Sequence, residues 1–151
     1  MSKFAANTEV SPGRSKESIE RTLMRYGASA FAYGQEDGRT MVQFKVENMV
    51  VRFIIPMPDP NSDEFVYSET GRERAESARW KAYEQAVRQK WRVLDLVIKA
   101  KLEAVESGIV TFEEEFLAHL VLPDGQTVSD KVLPELHEAL EGKPMPKLLP
   151  K

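Results

Sequence analysis

The chain has 151 residues, 42% of them hydrophobic and 30% charged, and carries a net charge of −3 with no cysteine. That is the length of one domain, able to bury about two thirds of its unfolded surface without metals or disulfides, and the missing thiols exclude disulfide frameworks, thiolate zinc sites and cysteine nucleophiles. No apolar run approaches the ~18 residues of a membrane span, and no charged-then-apolar signal pattern stands at the N-terminus, so the expectation is a soluble cytoplasmic protein without a membrane partner.

In chain order, residues 1–14 mix Ser, Asn, Pro and Gly without periodicity and read as a mobile arm. Ser15 is the expected N-cap of a short helix in which Ile19, Leu23 and Tyr26 share a face and Gly27 stops the run. Three strand signals follow. Phe31 and Tyr33 alternate with small residues up to the hairpin turn Asp37-Gly38, Val42, Phe44 and Val46 alternate with Met41, Gln43 and Lys45 up to Glu47-Asn48, and Met49 to Ile55 continues with Val51, Phe53 and Ile55 on one side. Pro56, Pro58 and Pro60 end the third strand, and the segment to Gly71 reads as an irregular crossover anchored by Phe65 and Tyr67.

Arg72 to Ser107 reads as one long helix. Trp80, Tyr83, Val87, Trp91, Leu94, Ile98, Leu102 and Val105 recur at steps of three and four, on a stripe about 100° wide that must be buried. Gly108 is placed for a left-handed cap, with Ile109 as its apolar contact. At 1.5 Å per residue such a rod measures about 54 Å, whereas a chain of this size has a radius of gyration near ~15 Å. The helix is therefore expected either to break near Ala78 to Ala82 or to project, with self-association as one outcome.

Beyond Gly108, Thr111 with Glu114 forms a capping-box signature for a helix that places Phe112, Phe116 and Leu120 on one face. Leu122-Pro123-Asp124-Gly125 is a turn, and Ser129 caps a last helix containing Leu133, Leu136 and Leu140, with Pro134 acceptable only near its first turn. Gly142 ends it. Residues 143–151 form a Pro-rich tail that either docks through Met145, Leu148 and Leu149 or is free. The expected fold is α+β: a single domain over residues 15–142, built as a three-stranded antiparallel meander packed on one long helix, with short helices at both ends.

Charge is segregated along this plan. Lys and Arg against Asp and Glu count 8 to 10 over residues 1–71, 9 to 4 over residues 72–101, and 4 to 10 over residues 102–151. A basic middle can build a local positive field, or the acidic tail can fold back and neutralise it. Helical spacing puts Arg74, Lys81, Arg88, Arg92 and Lys99 within roughly 40° of one another. Such a ridge could track a phosphate backbone, with Tyr26, Phe31 and Tyr33 as stacking faces for unpaired bases. It could equally be a solvated face held by pairs such as Glu84 with Arg88 or Arg92 with Asp95, its long stems covering the rim of the apolar stripe. Glu115 and His119 meet on one helical face, but Glu113 to Glu115 also suit a helix N-terminus without any function. No second histidine is near, His137 sits isolated on a polar face, and Trp80 and Trp91 belong to the core. No phosphate loop, dinucleotide fingerprint, nucleophile elbow or clustered aspartates are present. No catalytic residue, metal ligand or cofactor is assigned.

Several stretches carry a resemblance: Glu20-Arg21-Thr22-Leu23, Tyr26-Gly27-Ala28, Val51-Arg52-Phe53 with Pro56-Met57-Pro58, Lys99-Ala100-Lys101-Leu102-Glu103, Phe112-Glu113-Glu114-Glu115-Phe116 and Leu122-Pro123-Asp124-Gly125. Together they resemble small uncharacterised proteins of tailed bacteriophages and prophages. The resemblance implies expression in the cytoplasm of a bacterial host, among genes of replication or recombination, and transfers no functional residue. Two function classes follow. The first is a noncatalytic protein binding single-stranded DNA through Arg74, Lys81, Arg88, Arg92 and Lys99. The alternative is an inhibitor or adaptor that contacts a host or phage protein through the acidic helices from Glu103 to Glu141.

Overall fold

The alternation in residues 30 to 56 folds as an antiparallel sheet in the order β1-β2-β3, with β1 Ala30–Glu36, β2 Arg39–Val46 and β3 Met49–Pro56. The computed structural model in which it is seen describes residues 3–147. Glu36 faces Arg39 across Asp37-Gly38, where φ values of 48° and 70° are both positive, as a type I′ turn requires. Val46 faces Met49 across Glu47-Asn48, with Glu47 held at φ 53°. One face of the sheet buries Val42, Phe44, Val46, Val51, Phe53 and Ile55. On β1, Phe31 is half-buried and Tyr33 exposed.

The cover is a continuous helix, α3 (Glu76–Glu106), whose 31 residues make a rod of about 46 Å. It does not break at Ala78 to Ala82. It begins four residues later than the sequence suggests, because Arg72 to Arg74 belong to a turn closed by the Tyr67–Glu73 bridge and by Arg74 N donating to Val66 O at 2.7 Å. The buried stripe is also shorter than expected. Trp91, Leu94, Ile98 and Leu102 are buried, Tyr83, Val87 and Val105 are half-buried, and Trp80 is exposed. Three strands spaced about 4.8 Å apart cannot cover so long a rod, so its N-terminal half runs past the core.

Other segments flank that half. The short helix α2 (Asp63–Val66) buries Phe65, which meets Tyr83 edge-on at 5.8 Å, while Tyr67 stays exposed. Residues 3–10, expected as an arm, lie along α3: Gln85 Nε2 donates to Ala6 O (2.9 Å) and Thr8 O (2.8 Å), and Gln89 Nε2 to Phe4 O (2.8 Å).

Helix α1 (Pro12–Tyr26) is capped by Ser11, whose Oγ accepts from Arg14 N at 3.2 Å. Pro12 at its first turn suits that start, so the helix reaches into the stretch assigned to the arm, and Ser15 is a buried interior residue rather than the cap. Gly27, at φ 104°, ends α1 with its own N–H bonded to Met24 O and that of Ala28 bonded to Leu23 O, the closure that only a left-handed residue permits. Ile19 and Leu23 enter the core beside α3.

At the C-terminal side, α4 (Phe112–Phe116) carries the expected Thr111/Glu114 capping box. It plugs the core with Phe116, fully buried and edge-on to Phe44 at 5.9 Å and Phe53 at 6.4 Å. The helix stops there. A 3₁₀ turn, Leu117–His119, follows, and Leu120 bridges Val51 while Val121 N donates to Val50 O at 2.8 Å. This covers part of the β3 edge. Helix α5 (Val128–Leu140) starts at the Thr127 cap, two residues before the expected Ser129, and holds Pro134 in its interior rather than its first turn. Ile109, expected to pack behind Gly108, is 77% exposed. Of the tail residues, Met145 is exposed, as a free rather than a docked tail has it, and Leu148 and Leu149 lie outside the described residues. No helix among the described residues is long and apolar enough to cross a membrane.

Candidate interaction site

The five ridge cations do not form a free strip. Arg74 precedes α3 and donates through Nη1 to Glu64 O at 3.0 Å and Phe65 O at 3.4 Å, tying down the α2 turn. Lys81 is exposed. Arg88 gives Nε and Nη2 to Gln85 Oε1 at 3.0 and 2.6 Å, not to Glu84, and so braces the glutamine that holds residues 6–8. Arg92 Nη1 donates to Asp95 Oδ2 at 2.8 Å, the pairing anticipated from sequence, and Lys99 Nζ stands 3.4 Å from the same carboxylate while donating to Ser18 Oγ at 2.8 Å. Asp95 is fully buried, so it needs these two cations to compensate its charge. Arg92 pairs within α3, Lys99 ties α3 to α1 through Ser18, and both contribute little to a surface field.

Stacking faces are reduced in the same way. Tyr26 stacks on Phe112 at 6.0 Å, and Phe31 packs against the core. Of these three rings only Tyr33 is exposed, at 54%, with Trp91 edge-on at 6.3 Å and Lys16 Nζ 4.7 Å above both rings.

Glu115 and His119 do not come together, because the α-helix ends at Phe116. Glu115 Oε1 accepts from Lys101 Nζ at 3.1 Å, and the His119 ring stacks on Phe53 at 4.2 Å. Burial holds the His119 imidazole below the ordinary histidine range. The Lys101 charge adds to that, and a hydrogen bond to the Arg52 backbone offsets part of it. Among the described residues, no group of three or more His, Asp or Glu is placed to hold a metal ion.

The feature that stands apart is α5. Its N-terminus is well capped: Thr127 Oγ1 accepts from Asp130 N at 3.2 Å, Asp130 Oδ2 accepts from Thr127 N at 3.0 Å, and Lys131 pairs with Asp124 across the preceding turn. Those contacts hold both aspartates below the usual carboxylate range, Asp124 chiefly through Lys131 and Asp130 chiefly through the Thr127 backbone. Yet not one residue of α5 is buried. Val132, Leu133, Leu136 and Leu140 are each between 43% and 52% exposed and fall within roughly 100° of arc. Asp130, Glu135, Glu138 and Lys131 lie outside that arc. A lone helix of this length is marginal in water, so a capped, amphipathic helix without a covered face is built to lean on something. Sequence spacing placed Leu133, Leu136 and Leu140 on a last helix without saying what covers them. The missed signal was that α3, α1 and Phe116 of α4 together already cover the sheet's apolar face, leaving no place on it for a further stripe.

Comparison with known proteins yields no matching family model, no matching curated protein and no matching solved structure.

Proposed function

We propose that the chain is a noncatalytic protein-binding module whose contact element is α5. The observation that carries this reading is the stripe of Val132, Leu133, Leu136 and Leu140, presented by a helix with no buried residue. Such a helix laid into an apolar groove is a recurring recognition mode. Its acidic flanks, Asp130, Glu135, Glu138 and the cap Glu141 against Lys131, suit a partner groove with a basic rim. In the setting implied by the resemblance to phage proteins, that partner is a host or phage protein in the bacterial cytoplasm, a second copy of the chain included. The test uses the tagged full chain as bait in bacterial extract that also contains the untagged chain, beside its Leu133→Lys/Leu136→Lys variant. A stoichiometric protein, whether the untagged copy or another, retained by the first and lost by the second is expected, and identical recovery by both baits contradicts the reading.

A second reading, binding of single-stranded nucleic acid, is favoured by the open Tyr33 ring beside Lys16, since bases stack on such faces. Of the ridge, Lys81 remains free for phosphate contact, whereas charge reversal at Arg92 would expose the Asp95 site to collapse. Anisotropy with labelled single-stranded and double-stranded DNA at two salt concentrations, repeated on Lys16→Glu and Lys81→Glu, decides it. Binding that weakens steeply with salt and is lost in both variants supports this reading. Binding unchanged by both removes it.

A further inference from the structure

Beside β3 and along the outer flank of α3 runs a second apolar surface that the fold leaves open. A groove of about 380 Å³ lies between them, with Ile54, Ile55, Pro58, Ala86, Val93 and Val97 among its walls. Ile54 and Val97 are 53% and 37% exposed. Lys3 and Lys90 stand at this groove with one acid, Glu64. None of its lining residues comes from α5.

The groove and the helix match on three counts. Their lengths agree: the stripe from Val132 to Leu140 extends about 12 Å, and the α3 wall from Ala86 to Val97 about 16 Å. Their shapes agree, one a convex ridge of branched side chains, the other a concave apolar wall. Their charges agree, for Glu135 flanks the stripe and α5 as a whole is acidic, while the groove carries two lysines against one glutamate. Within one chain they are kept apart. The link into α5 is fastened to the chain's own β3 by Val121 N donating to Val50 O at 2.8 Å and by Arg52 Nη1 donating to Gly125 O at 2.8 Å.

We propose that the partner of α5 is a second copy of this chain, the apolar stripe of one copy lying in the groove between β3 and α3 of the other. This rests on the reading of α5 as the contact element. Exchanged reciprocally, the two contacts close into a dimer, and exchanged head to tail they build a ring or filament.

The absence of cysteine allows a clean test on the full chain. Sedimentation velocity is run on the wild type, on Leu136→Lys and on Val97→Lys, with circular dichroism confirming that each variant is folded. Association is expected for the wild type and is expected to weaken about tenfold or more in each variant, about 1.4 kcal/mol or more. In parallel, Leu136→Cys and Val97→Cys chains are oxidised separately and as a mixture. A covalent pair that forms in the mixture and not in either chain alone supports the proposal. A Leu136→Cys chain that cross-links to itself as readily as to Val97→Cys shows α5 packing on α5 and overturns it. So does association that survives Val97→Lys, and so does a wild type that stays monomeric at its highest soluble concentration. In that last case the extract experiment still separates the outcomes: a partner lost with Leu133→Lys/Leu136→Lys keeps α5 as the contact element and discards only the second copy.

Discussion

Asp95 shows how one residue redistributes the chemistry of a whole helix face. It sits between Leu94 and Leu96 on the margin of the apolar stripe, fully buried, with its Oδ1 making no hydrogen bond although Lys99 Nζ lies 3.4 Å away, and with the equally buried Ser15 Oγ also unbonded. Two cations that sequence spacing assigned to a nucleic-acid ridge are drawn in to neutralise it. The consequence is an asymmetry in stability. Arg92→Met leaves a buried carboxylate with Lys99 as its only counter-charge and is expected to cost about 3 kcal/mol. Asp95→Asn leaves Arg92 and Lys99 at 29% and 40% side-chain exposure, free to turn to water, and is expected to cost about 1 kcal/mol. Urea unfolding of both variants checks the order, and a larger loss for Asp95→Asn contradicts it. His119 supplies a second expectation. Its folded pKa lies below the unfolded value, so on acidification the unfolded chain takes up the proton first. Its contribution is complete above the unfolded value, near ~6.5, and is lost as pH falls from there through the lowered folded pKa. His119→Phe, which keeps the stack on Phe53, is expected to flatten the unfolding midpoint over that window. The Asp124 and Asp130 contributions are lost only at lower pH, below about 4, which keeps the two effects separable.

At the scale of elements, the regular pieces were legible because each is marked locally. Period-two alternation with Asp37-Gly38 placed all three strands, and Thr111 with Glu114 placed the capping box. The boundaries that moved did so for reasons outside the local pattern. Helix α3 lost Arg72 to Arg74 to a bridge between Tyr67 and Glu73, α4 ended early so that Leu120 could reach Val51, and α5 began at Thr127 because Asp130, not a later residue, completed its box. The α5 box also gives a prediction. Thr127→Ala is expected to cost the helix about 1 kcal/mol. Because no residue of α5 is buried, that loss is expected as faster amide exchange confined to residues 128–140, with the global urea midpoint unmoved. A fall in the global midpoint of comparable size would mean that α5 is part of the cooperative core.

For the molecule as a whole, the long rod and the acidic tail were both read correctly as features and incompletely as relations. The rod does outrun the sheet, and the sheet's width, which no single residue encodes, decides where burial stops. Of the acidic segment, Glu115 pairs with Lys101 of the basic helix at 3.1 Å, whereas α5 is fastened to β3 through its link and its apolar stripe faces outward. What the fold presents is two uncovered surfaces of opposite shape and charge on one chain, and the account stands on α5 being covered in use. Hydrogen exchange at residues 128–140 of the full chain tests this most directly, measured first over a protein concentration series and then in bacterial extract. The α5 amides, fast in dilute buffer, are expected to become protected in the concentrated protein or in extract. Exchange that stays fast in both would contradict that expectation.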